Sequence, residues 1–124
     1  MRLLTIRAFC RLAAFDFRQL NRNFASLCES VRSSKVADRT VPTDITASIC
    51  DAVNHACVWY PKRVRCLQRS VVTTRMLRSY GVPACMVVGA QKLPFKAHAW
   101  VEINGMAVNE RADVQVIYSV WERC

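Results

Sequence analysis

Cys66, His98 and an acid or amide near Glu110 are the residues of this sequence whose types and order could carry out nucleophilic chemistry. A thiolate attacks a carbonyl, an imidazole moves the proton, and a third group holds the imidazole in one tautomer. His98 stands in the pattern Phe95-Lys-Ala-His98-Ala-Trp100-Val-Glu102-Ile, followed by Asn104-Gly105 and a returning Met106-Ala-Val-Asn109-Glu110. Cys66 lies well upstream, where a helical pattern begins, with Arg65 and Arg69 beside it. The N-terminus of a helix and nearby cations both favour a thiolate over a thiol. The free N–H groups of that first turn could also hold the oxyanion of a tetrahedral intermediate.

Side chains alternate along a strand, so His98, Trp100 and Glu102 share one face. Trp100 on that face would shield the imidazole from water, and Glu102, near the hairpin tip, reads as solvated. The third member of the set depends on the turn. A two-residue turn at Asn104-Gly105 pairs Ile103 with Met106, sets Asn109 on the His98 face and turns Glu110 away. A three-residue loop pairs Glu102 with Met106 and brings Glu110 opposite His98. Spacing alone leaves Glu110 and Asn109 both open, with Asp113 a third candidate.

These residues must be positioned by a short chain of 124 residues, enough for one domain with one core (1–124), read as an N-terminal helical segment over 1–42 and a core over 43–124. Apolar residues recur at Ile6, Phe9, Cys10, Ala13, Phe17, Leu20, Phe24, Leu27, Cys28 and Val31. That spacing predicts one amphipathic helix over 3–32, broken at most once, with Arg7, Arg11, Arg18, Arg22 and Arg32 on its polar side. A polar loop over 33–42 follows, and Thr43 or Asp44 is placed to cap a helix that ends near Tyr60, before Pro61. A third helix begins near Cys66 and stops at Gly81, with Pro83 beyond it. Strands are expected over 84–90, 97–103 and 106–109, and the segment 113–121 reads equally as a short helix or an extended tail. The fold class is α+β, with helices packed on a small antiparallel sheet.

The seven cysteines show no C-x-x-C pair and no zinc spacing, so neither metal nor cofactor is expected. Cys10, Cys28, Cys50, Cys57 and Cys85 fall at apolar positions and read as reduced, buried thiols. No apolar run is long enough to span a bilayer and no signal-peptide pattern is present, so a cytoplasmic location is expected. The formal net charge is +9, and the stretch from Ala52 to Val101 carries basic residues and no acid. Such a surface attracts an anionic partner, although no nucleic-acid-binding motif accompanies it.

Cys66-Leu-Gln-Arg69-Ser70 at a helix start resembles the nucleophile motif of the transglutaminase-like, papain-related cysteine hydrolases. Phe95-x-Ala-His98-Ala-Trp100-Val-Glu102, then Asn-Gly, then Val108-Asn109-Glu110, is similar to the His and acid strands of one branch, the lasso-peptide B2 proteins. The resemblance covers residues 57 to 123. It implies a transglutaminase-like core and a leader peptidase of lasso-peptide biosynthesis, with Cys66 as nucleophile, His98 as base and acid, and Glu110 as orienter in preference to Asn109. The family's usual acid is Asp, so Glu110 is a departure. The expected partners are the lasso precursor peptide, a separate B1-type leader-recognition protein and a lasso cyclase. Two alternatives remain on the same residues: acyl transfer to an amine, and a basic, non-catalytic module that binds nucleic acid or an acidic protein.

Overall fold

The computed structural model describes residues 2–19, 23–92, 94–110 and 113–124. Its N-terminal third is two helices, α1 (Arg2–Gln19) and α2 (Phe24–Ser33), where the pattern predicts one, broken at most once. Asn23 begins α2, its side chain accepting the Ser26 N–H at 2.8 Å. Leu20 and Arg22 lie outside the described residues. The predicted apolar face holds in α2, where Leu27, Cys28 and Val31 are buried. In α1 it holds only at Phe9, half-buried against the core: Ile6, Cys10, Ala13 and Phe17 are exposed, and Ala8 and Leu12 are fully buried, with Leu4 and Phe15 half-buried behind them. Both stripes satisfy helical spacing, so periodicity alone does not choose between them.

Helix α3 (Ile45–Trp59) buries Ile49, Ala52, Val53 and Ala56 and gives way to an extended Tyr60 ahead of Pro61, as the proline requires. Asp44 occupies the cap position in a left-handed conformation (φ 60°), and its side chain makes no cap hydrogen bond, contrary to expectation. Helix α4 (Cys66–Ser79) is buried nearly all round, from Gln68 to Arg78. It ends as predicted: Gly81 has φ +90°, its N–H bonds to the Arg78 carbonyl, and the Val82 N–H bonds to that of Leu77. A Cβ at Gly81 would also stand 2.9 Å from the Arg39 carbonyl oxygen.

The four strands are β1 (Ala84–Lys92), β2 (Phe95–Ile103), β3 (Met106–Val108) and β4 (Ser119–Arg123), in the order β3-β2-β1-β4 with antiparallel pairing throughout. The undecided tail is both of its options in turn, a single-turn helix α5 (Val114–Ile117) and then β4. The sheet buries both faces. Met86, Val88 and Ala99 meet Leu27, Val31 and Val71 on the helical side. Val87 and Trp100 meet Val114 and Tyr118 on the other. This is the α+β fold expected. Of the thiols read as buried, Cys28 and Cys50 are, Cys57 and Cys85 are half-buried, and Cys10 is exposed. Among the described residues no helix is long and apolar enough to cross a membrane.

Candidate active site

Cys66 is the first residue of α4, and its chain-packed neighbours fix where that helix starts. Arg65, at the cap position, has extended backbone (ψ 163°) and offers no side-chain cap, and the first intrahelical bond runs from the Arg69 N–H to the Arg65 carbonyl. The N–H groups of Cys66, Leu67 and Gln68 therefore precede the helical ladder. The Gln68 side chain donates to the Leu12 carbonyl at 3.0 Å, which ties this end of α4 to α1. Arg69 also stands near two thiols of α3. Burial pushes the Cys50 and Cys57 thiols of α3 up, and the Arg69 guanidinium opposes both shifts.

His98 sits on β2 opposite Gly89 of β1. Gly89 has no side chain for a physical reason: a Cβ there would meet the Ser119 carbonyl oxygen at 2.7 Å and the Trp100 ring at 3.0 Å. The imidazole is stacked with Trp100 (ring centroids 6.0 Å apart) and tilted against Tyr118 (5.3 Å). Trp100 is 2% exposed, so it covers the imidazole as expected and belongs to the core as well.

The hairpin takes the two-residue turn. Ile103 pairs with Met106, and Asn104 and Gly105 both have positive φ (53° and 80°). That register was expected to carry Asn109 to the imidazole, yet the contact is made by Glu110, whose Oε2 lies 2.6 Å from His98 Nε2. The reason is local. β3 stops at Val108, and Asn109 adopts φ 55°, which breaks the strand and swings the next residue back over β2. Asn109 pairs instead with Asn54 of α3 through reciprocal amide bonds of 3.0 and 3.1 Å. Asp113 lies just ahead of α5 and shares with His98 and Glu110 a cavity of about 190 Å³.

Cys66 and His98 line one cavity of about 240 Å³, its other walls formed chiefly by Phe24, Leu67, Val88 and Trp121. Cys66 and His98 thus border one apolar space: Cys66 packs on the helical side of the sheet with Val88 and Ala99, and the imidazole, against Trp100 and Tyr118 on the other side, has Glu110 on Nε2. Tyr118 and Trp121 were missed in the sequence. Their only signal was a pair of aromatics three residues apart in a tail of undecided conformation. Among the described residues no cluster of three or more His, Cys, Asp or Glu is arranged to hold a metal ion.

Glu102 is a correction: it is 2% exposed, not solvated. Its carboxylate accepts from Trp100 Nε1 at 2.9 Å, Gln115 Nε2 at 2.7 Å and the Arg123 guanidinium. Burial pushes its carboxyl up, but these hydrogen bonds from Gln115, Trp100 and Arg123 outweigh it and leave the group below the ordinary carboxylate value. Because Glu102 holds Trp100, it acts on His98 at one remove. Glu102→Gln cannot accept from all three donors and is expected to cost about 1–3 kcal/mol in urea unfolding at neutral pH. A carboxylate lowered on folding stabilises above its unfolded value and loses that contribution as pH falls through the folded one. The gap between wild type and variant should therefore close in acid; a pH-independent gap would remove the charge from the account.

Comparison with known proteins agrees with the residues. A model of the transglutaminase-like superfamily matches residues 9–121. The microcin J25-processing protein McjB of Escherichia coli is 34% identical over 55 residues, which cover 44% of this chain and 26% of that protein. The match therefore spans about a quarter of the length of that curated relative. No solved structure matches. With the family model running through α1, the sheet and both sides of the Cys66–His98 cavity, the chain belongs to the transglutaminase-like superfamily.

Proposed function

We propose that this protein is a cysteine peptidase that removes the leader from a lasso-peptide precursor, with Cys66, His98 and Glu110 as its triad. The observation that carries the reading is the shared Cys66–His98 cavity with Glu110 bonded to the imidazole. The similarity to a microcin-processing protein supports a lasso precursor as the substrate. With Nε2 held by Glu110, Nδ1 is the ring nitrogen left to take the thiol proton. The Cys66 sulfur adds to the carbonyl at the leader–core junction, and the N–H groups opening α4 receive the oxyanion. Collapse breaks the C–N bond as the imidazolium returns its proton to the leaving amine. A water, deprotonated by His98, then attacks the thioester, freeing the leader carboxylate and the thiol.

On this reading the protein acts in the cytoplasm, on a precursor presented by a separate leader-recognition protein, and the released core passes to a cyclase. An acyl transferase would share every step to the thioester and differ only in the nucleophile that ends it. Incubating protein, precursor and recognition partner, with mass analysis of the products, separates the two. A free leader carboxylate is expected. A product joined only through a new amide would assign the transferase, and an intact precursor with an unreactive Cys66 would leave the basic, non-catalytic binding module.

A further inference from the structure

A cavity distinct from the one at Cys66 is a groove of about 610 Å³ between α1 and α4, and its lining includes Arg7, Arg11, Arg18, Arg39 and Arg75 and no acidic residue. Between the guanidinium groups the floor is apolar, with Ile6, Phe15, Val72 and Met76 among its residues. Arg7, Arg11 and Arg18 line the groove from one side of α1, and none of the three is in an ion pair among the described residues. The nearest acid on α1, Asp16, is engaged by Tyr60 and Lys62. Arg11 shows the uncompensated charge: its guanidinium is held below its ordinary value first by burial and then by Arg7 and Arg18. Arranging like charges in a row without counter-ions is unfavourable unless a ligand supplies them.

The spacing chooses among anions. Arg7 and Arg18 are separated by about 16 Å along the helix axis at 1.5 Å per residue. A lone phosphate cannot bridge that distance, whereas about five residues of extended peptide can. Single-stranded nucleic acid would need open aromatic faces for its bases. The one tyrosine of the groove, Tyr80, already has Arg39 over its ring at 5.0 Å and Arg7 on its hydroxyl. Phe15 of the groove packs against the same buried cluster as Cys66 and Leu67.

We infer that the α1–α4 groove is a binding site for an extended acidic peptide segment, its carboxylates on Arg7, Arg11 and Arg18 and its apolar side chains on the floor between them. Guanidinium groups bind carboxylates bidentately, which sets register as well as affinity. The site stands whether or not the protein cleaves what it binds, so it can be tested without turnover.

The probe is a fluorescein-labelled hexapeptide of alternating Glu and Leu, titrated with the full chain and followed by anisotropy, beside its Gln/Leu counterpart and a labelled single-stranded oligonucleotide. The Glu/Leu peptide is expected to bind with an affinity that falls as salt rises, and the Gln/Leu peptide about tenfold or more weaker. Arg7→Gln with Arg18→Gln, both at exposed positions, should lower binding of the acidic peptide by a similar factor, while Lys92→Gln, outside the groove, should not. A thermal melt of each variant confirms that it is folded. Equal binding of the Glu and Gln peptides, or loss with Lys92→Gln equal to that of the double variant, overturns the site. Oligonucleotide binding that disappears in the double variant while the acidic peptide fails to bind assigns the groove to nucleic acid instead.

Discussion

Cys66→Ala is expected to abolish precursor cleavage, by about 10⁴-fold or more, while leaving the fold in place. The sulfur is the only atom of the site that forms a bond to carbon in the proposed reaction, and nothing nearby replaces it. Among the other thiols of α3 and α4's surroundings, Cys50 and Cys57 are raised by burial, and neither lines the Cys66–His98 cavity. Alanine keeps the helix start, since Cys66 contributes no side-chain cap and alanine has the highest helix propensity. The side chain is half-buried, so the unfolding midpoint should move little. His98→Ala should lower the rate comparably, but it is less clean: it removes one partner of Glu110, which is 14% exposed at its side chain, and one ring of the Trp100–Tyr118 cluster. The rate is followed by chromatography of the released leader and the fold by thermal unfolding. Cleavage surviving in Cys66→Ala at a rate near that of wild type would end the triad assignment.

What could be read before the fold was known follows from which interactions are local. The start and stop of α4, the Pro61 break and the Asn104-Gly105 turn depend on a few adjacent residues and stand where the sequence puts them. The buried face of α1 depends on which of two equally spaced stripes a distant partner covers, and α3 and α4 cover the one marked by Ala8 and Leu12. The carboxylate at His98 shows the same division. Ladder counting favoured Asn109 once the turn was two residues long, yet a single left-handed residue at Asn109, held by Asn54 from another helix, hands the position to Glu110. Glu102 read as solvated because nothing near it in sequence announces Gln115 and Arg123 as donors.

Arg78→Met should be the most destabilising single change in the helical core, and it separates folding from chemistry on one helix. Arg78 is 8% exposed and has no Asp or Glu partner among the described residues. Its charge is held by backbone oxygens: Nε donates to Ala84, one terminal nitrogen to Val31 and Ser34, and the other to the carbonyl of residue 124. One side chain thus joins the end of α2, the loop after it, the start of β1 and the residue following β4. Burial lowers its value below that of a free guanidinium, as desolvating a cation does. Methionine has comparable length and fills the space, so the loss is chiefly that of the donors, and the carbonyls of Ala84 and residue 124 lose a buried partner. The expected cost is about 3–5 kcal/mol in urea unfolding, a large share of what a domain of this size has. Arg78→Lys should recover only part of it, because one ammonium cannot reach acceptors spread around a planar fork. Arg78 stands at the opposite end of α4 from Cys66, so under conditions where the variant is fully folded its cleavage rate should match wild type. A variant with unchanged stability but impaired cleavage would mean that this residue serves the thiol rather than the fold.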